Sequence, residues 1–167
     1  MVERRLIAQE KGIVGINRSF KKVISEASLK EEQIAFIGSP SVCLPVAELL
    51  AYAVRDLNFH ACFIPNAVKE KARSLVYAEG YGFQLGEKAS PKKAKVFVIC
   101  GGVAMPGSPV QPEDVDRLRE EILEKDGLVI GIGFMGVFDR ANWTEKVRFD
   151  YVIDSTIDPV TTESFSR

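Results

Sequence analysis

Val96-Phe97-Val98-Ile99-Cys100-Gly101-Gly102, followed by Gly107-Ser108-Pro109 and then by Pro112-Glu113-Asp114, decides how this chain is expected to fold. Consecutive apolar residues leave the strand no wet face, which suits a parallel strand covered by helices on both sides. Pro112 fits a first helical turn, and Glu113 and Asp114 beside it complement the positive end of the helix dipole. Strand, glycine-rich loop and helix start together place a candidate site at a strand's carboxyl end. The design recurs earlier: Ile34-Ala35-Phe36-Ile37 runs into Gly38-Ser39-Pro40 and then, past Pro45, into a helix expected from about Cys43 to Asp56.

Working outward, Phe59 to Ile64, Leu128 to Gly133 and Phe149 to Asp154 read as further strands. On the amino side, Gly12 to Ile16 reads as an edge strand or extended lead-in. Phe20, Val23, Ile24 and Ala27 then predict a helix from Asn17, with Asn17 or Ser19 as its cap. Lys30-Glu31-Glu32 is a solvated connector. After the second strand, Asn66 is expected to cap a helix carrying Val68, Ala72, Leu75 and Val76, which Gly80 ends. Tyr81 to Gly86 reads as a short strand or turn, and Lys88 to Lys95 as a polar linker. Val115, Leu118, Ile122 and Leu123 form the buried stripe of the helix from Pro112, stopped by Asp126-Gly127. Phe134 to Trp143 holds a short helix or turn.

Strands alternating with helical stretches imply right-handed βαβ units and a parallel sheet. The fold class expected is therefore α/β, a three-layer, open, mostly parallel sheet with the flavodoxin-like strand order 2-1-3-4-5. A Rossmann-like order is the runner-up. In the first order, strands one and three are neighbours at the switch point, so the Gly38 and Gly101 loops share one cleft.

Size and charge narrow the function. The 167 residues fit one α/β domain, 1–167, with 1–32 as an N-terminal extension and helix. A net charge of −1 sets up no field that would draw nucleic acid or an anionic membrane. No apolar run reaches the roughly 18 residues of a membrane span, and the first residues lack the apolar core of a signal peptide, so a cytoplasmic protein is expected. The three cysteines are Cys43, Cys62 and Cys100, an odd count with no C-x-x-C pair. Neither a disulfide framework nor a structural zinc site is expected.

Three kinds of chemistry fit these residues. Glycines let the main chain approach a ligand, and a helix start offers unpaired N–H donors, so the two loops are candidates to bind a small anionic metabolite or nucleotide. Gly38, Ser39, Ser41, Cys100, Gly101, Gly102 and Ser108 are the candidate ligand-binding residues. Neither loop is a recognised fingerprint, since both lack a G-x-G-x-x-G and a Walker lysine, and a simple strand-end turn explains each alone. No particular cofactor is indicated.

Cys43 is the candidate catalytic residue. A helix start can lower a thiol pKa, and Cys100 across the cleft could act as a redox or soft-metal partner. This thiol-dependent reading expects Cys43 to be solvent accessible; the bland alternative is a buried small hydrophobe. The only histidine, His60, is expected at the opposite edge, too far away to serve as its base. Asp139, Asp150 and Asp154 could hold a cation or a hydroxyl, but loop capping, or a pair between Asp139 and Arg140, is the default. Finally, Phe134, Met135, Val137, Phe138 and Trp143, with the apolar helix from Leu44 to Val54, suggest a homodimer or a protein-interaction module without a working site.

The turn Ile37-Gly38-Ser39-Pro40, the strand end Cys100-Gly101-Gly102 and Met105-Pro106-Gly107 give the chain a resemblance to a family of uncharacterised proteins from methanogenic archaea and related euryarchaeotes. The resemblance implies a cytosolic, anaerobic setting in which free thiols survive. It transfers no catalytic residue to any position.

Overall fold

The computed structural model describes residues 2–27 and 33–166, so the connector expected at Lys30-Glu31-Glu32 lies outside the described residues. One seven-stranded sheet organises them. In chain order its strands are β1 (Gln33–Gly38), β2 (His60–Pro65), β3 (Arg73–Ala78), β4 (Gly82–Lys88), β5 (Ala94–Cys100), β6 (Leu123–Phe134) and β7 (Tyr151–Ser155). They lie side by side as β4-β3-β2-β1-β5-β6-β7. The five strands from β2 to β7 in that row are parallel, and β3 and β4 extend the sheet as an antiparallel hairpin.

Helices cover both faces, which is why β1, β5 and the end of β6 are apolar at successive positions. Phe20, Val23 and Ile24 of α1 (Gly12–Glu26) and Ala47, Leu50 and Ala51 of α2 (Leu44–Ala53) pack on one face with Ile34, Phe36, Val96 and Val98. Val115, Leu118 and Ile122 of α3 (Pro112–Ile122) and Phe138 of α4 (Val137–Arg140) pack on the other with Ala35, Ile37, Phe97 and Ile99.

The helix from Pro112 opens as its sequence predicts. Asp114 accepts the Gln111 N–H at 3.0 Å and completes a capping box.

Four local expectations are corrected. Gly12 to Ile16 is not extended but forms the first turn of α1, because Ile16, Phe20 and Val23 continue one buried stripe at i, i+4 and i+7. Lys11 therefore stands at the cap position, and Asn17 and Ser19 lie inside the helix. The helix expected between Val68 and Val76 is instead a single 3-10 turn, Lys69–Lys71, followed by β3. Ala72 and Leu75 are indeed buried, which imitates helical spacing, but Gly80 and Gly82 have φ of 80° and 85° and make a hairpin turn rather than a helix end. The helix expected up to Asp56 ends at Ala53 and passes into a 3-10 turn, Arg55–Leu57. The helix α3 stops at Ile122, and Leu123 already pairs with Ala94, so Asp126-Gly127 lies within β6, at its register shift against β5.

Candidate functional site

Strand alternation decides which side chains meet at the carboxyl ends of β1 and β5. Val96, Val98 and Cys100 share the α1/α2 face, whereas Phe97 and Ile99 face α3. Ile37 pairs with Ile99, so Gly38 comes alongside Cys100. A side chain at Gly38 is forbidden: a Cβ there would lie 2.2 Å from Cys43 Cβ, 2.9 Å from Cys43 Sγ and 3.2 Å from Cys100 Cβ. The missing side chain is what lets the two cysteines converge.

Cys43 occupies the cap position of α2; its N–H donates to the Ser39 carbonyl at 3.0 Å, and its own carbonyl accepts the Ala47 N–H. That tight turn brings the Ser39 hydroxyl to 3.6 Å from Cys43 Sγ. Gly102 closes the remaining side, since a Cβ there would stand 2.4 Å from Cys43 Sγ and 2.7 Å from Ser39 Oγ.

These neighbours change the acidity of the thiol. A hydrogen bond from the Cys100 thiol favours the Cys43 thiolate most; burial opposes it, and the Ser39 hydroxyl and the Ser39 and Gly102 backbones add to the stabilisation. The hydrogen bonds win, and the Cys43 pKa falls from the ordinary 9.0 to about 6. Cys100 is driven upward, first by its hydrogen bond to Cys43, then by burial and by the thiolate's charge. Cys62 has no such partner, and burial alone pushes it up to about 12.

One expectation is corrected here: Cys43 is only 2% exposed, so its thiol is not open to solvent. The space expected between the two loops is filled by the Cys43 and Ser39 side chains. Of the candidate residues, Gly38, Ser39, Cys100 and Gly102 gather at Cys43. Gly101 faces the other way, where a Cβ would meet Val137 Cγ1 at 2.5 Å. Ser41 is exposed on the turn, and the Ser108 hydroxyl accepts the Val110 N–H at 3.2 Å, within its own loop. His60 is exposed at the amino end of β2, paired with Gln33, at the far end of β1 from Cys43.

The carboxylates cap structure. Asp150 accepts the Val129 N–H at 2.8 Å, and both oxygens of Asp154 accept the Gly136 N–H. Burial pushes the Asp154 pKa up. Asp139 pairs not with Arg140 but with Arg4, at 2.8 and 3.0 Å, and takes a further bond from the Thr144 hydroxyl. Hydrogen bonding to Arg4 holds the Asp139 carboxyl below its usual value. Among the described residues, no three His, Cys, Asp or Glu side chains are grouped to hold a metal ion. The Arg4 anchor had no signal in the sequence, because the first residues carry no periodic pattern. No helix of the described residues is long and apolar enough to cross a membrane.

Comparison with known proteins agrees with the resemblance read from the Gly38 and Gly101 motifs. Residues 11–158 match the family described as uncharacterized protein conserved in archaea, DUF2124. An uncharacterized protein of Methanothermobacter thermautotrophicus is 46% identical over 136 residues, covering 81% of this chain and 86% of the relative. Another, from Methanocaldococcus jannaschii, is 33% identical over 153 residues, covering 92% and 91%. The crystal structure of a protein of unknown function from Methanothermobacter thermautotrophicus aligns with a TM-score of 0.87 at 37% identity, over 98% of this chain and 100% of that one.

Proposed function

We propose that this chain, which belongs to the archaeal DUF2124 family, is a dithiol redox protein in which Cys43 is the attacking thiolate and Cys100 the resolving thiol. The observation that carries this reading is the placement of both cysteine side chains against Gly38, with Cys43 at the start of α2 and Ser39 and Gly102 around its sulfur. Cys43 S⁻ attacks one sulfur of a disulfide R–S–S–R′, forming Cys43–S–S–R and releasing R′–S⁻. The released R′–S⁻ takes the Cys100 proton, and the Cys100 thiolate attacks the Cys43 sulfur. An intramolecular disulfide forms as the Cys43–S–R bond breaks, and R–S⁻ leaves. Two electrons move from the cysteine pair to the external disulfide, and atoms balance. Access requires local opening of the exposed turn Pro40–Val42, which lies directly before Cys43.

Equilibration of the full chain in oxidised and reduced glutathione, followed by peptide mass spectrometry, tests this. A Cys43–Cys100 disulfide is the expected product, and Cys100→Ala should stop at a Cys43–glutathione adduct. Persistence of both free thiols under oxidising ratios, or adducts on Cys62 alone, would refute the reading.

A second reading keeps the same edge but assigns it to a small anionic ligand. Half-buried Ser39 and Gly102, beside the Cys43 cap of α2, support it, and it requires the Cys43 and Ser39 side chains to swing out of the space they fill. Calorimetric titration with inorganic phosphate distinguishes the two, because the redox reading expects no heat. The parallel order β2-β1-β5-β6-β7 supports the flavodoxin-like description of the sheet. The loop residues from which a homodimer is expected do not supply its surface, because Val137, Phe138 and Trp143 are buried in this chain's own core with only Met135 well exposed, and Ala47, Leu50 and Ala51 of α2 pack on the sheet. Exposed Leu6, Ile7, Ile13 and Val14 support one instead, which sedimentation velocity tests.

A further inference from the structure

At the opposite end of β1, the antiparallel hairpin parts from the rest of the sheet. The β2–β3 pairing covers only Phe63↔Arg73, Cys62↔Ser74 and Ala61↔Leu75. Beyond Leu75, β3 stays with β4 through Val76↔Gln84, Tyr77↔Phe83 and Ala78↔Gly82. The chain on the β2 side turns away through Phe59 and Asn58, and Asn58 sits in the left-handed region at φ 50°. A cavity of about 570 Å³ lies in the resulting fork, within the roughly 300–1,000 Å³ typical of small-ligand sites.

Its walls are aromatic and its rim is polar. Phe59, Tyr77 and Phe83 line it together with Gln33, Arg55 and Asn58. Phe59 and Phe83 stack at 5.9 Å with 15° between their planes, and Phe83 and Tyr77 meet edge to face at 5.6 Å. Tyr77 also stacks on Tyr52 at 6.4 Å, and the Arg55 guanidinium lies 3.9 Å above the Tyr52 ring. This network fixes the orientation of the Tyr77 ring, although the residue is 49% exposed. A flat face held rigid at a cavity mouth binds planar rings with little ordering cost. The amides of Gln33 and Asn58 supply both donors and acceptors for a ring edge. Arg55 adds positive charge at the rim.

We infer that the fork between β2 and β3 is a binding site for a planar heteroaromatic ring system carrying an anionic substituent. The ring lies against Tyr77, its edge meets the amides of Asn58 and Gln33, and its anionic group is drawn by Arg55. Gln33 and Gly38 are the two ends of β1, so about 16 Å of strand separates this site from the thiol pair. The two proposals therefore stand or fall independently.

The test is a set of amide correlation spectra of the full chain, titrated separately with adenosine, adenosine monophosphate, flavin mononucleotide and inorganic phosphate. Saturable shifts centred on Asn58, His60 and Tyr77 are expected with at least one of the two phosphorylated ring compounds, and none with phosphate alone. Tyr77→Ala, at a half-exposed site, should weaken that binding by at least about fivefold, the lower range for loss of one stacking ring. Arg55→Ala should weaken the phosphorylated compound by a larger factor than adenosine, because adenosine loses only the Arg55 contact that helps hold Tyr52 against Tyr77. The inference is overturned if neither phosphorylated compound gives saturable shifts at millimolar concentration. It is equally overturned if the shifts map elsewhere, if phosphate alone reproduces them, or if a folded Tyr77→Ala variant binds as the parent does.

Discussion

Gly102 lies directly against the thiol of Cys43, so close that a single added carbon would stand 2.4 Å from the sulfur. Gly102→Ala must therefore displace Cys43, Ser39 or its own loop. The expected loss is about 1–3 kcal/mol in urea unfolding, the usual cost of overpacking. Gly107→Ala makes a useful contrast, because nothing lies within 4 Å of its would-be Cβ and only its φ of 82° is unfavourable. Its cost should be about 1–2 kcal/mol from backbone strain alone, with no change in thiol reactivity.

Alkylation kinetics should separate the cysteines. Iodoacetamide labelling of Cys43, followed by mass spectrometry, should rise with a midpoint near pH 6, its slow absolute rate reflecting the opening of the turn. Cys100→Ala removes the largest stabilising contact of the thiolate, so the midpoint should move upward toward the ordinary thiol value. An unchanged midpoint would show that the helix start and Ser39 suffice without Cys100.

Stability should depend on pH in a defined window. Cys43 loses its proton at about 6 in the folded chain but only at the ordinary value of 9.0 when unfolded. The unfolded state thus holds more protons between those values, and stability should climb as pH rises from 6 to 9. Cys62 and Cys100 have the opposite sign. Their raised values keep them protonated in the folded state, so above the ordinary 9.0 the unfolded chain ionises first and stability should fall. Urea midpoints across this range should show the rise, and Cys43→Ala should flatten it and shrink the Cys100 share of the alkaline fall while leaving that of Cys62.

Arg4 tethers the first residues to α4 through Asp139 and Thr144. Both members of the pair are more than half exposed, at 54% and 55%, so solvent screening leaves the bridge little weight in global stability. Arg4→Ala should leave the urea midpoint nearly unchanged. Trypsin or chymotrypsin cleavage before Gly12 should nevertheless become faster in limited proteolysis.

The parallel strands were legible because their apolar runs are long and unbroken: Ile34 to Ile37, Val96 to Cys100 and Leu128 to Gly133 each sit inside an observed strand. The β3–β4 hairpin was not. Ala72 and Leu75 are buried three residues apart, as on a helix, and only tertiary pairing with Ala61 and Phe63 decides for a strand. The fork and its cavity depend on that pairing, so they were hidden as well. At the thiol site, the approach of Gly38 to Cys100 followed from strand order and alternation. That Cys43 would fill the hollow did not follow, because it depends on the single Ser39–Cys43 turn, whose tightness leaves no trace in residue types.

The three cysteines fall on different sides of the sheet, Cys43 and Cys100 beneath α1 and α2, and Cys62 beneath the opposite layer. All three are nearly invisible to solvent. Every molecule consequently carries its own reference sulfur: Cys62 is shielded to a similar degree but lacks the neighbours that acidify Cys43. The ratio of modification at the two positions, read within one sample, cancels differences in reagent, dose and exposure time, and reports how the opening of the Pro40–Val42 turn and the contacts from Gly38, Ser39, Cys100 and Gly102 set one sulfur apart from the other.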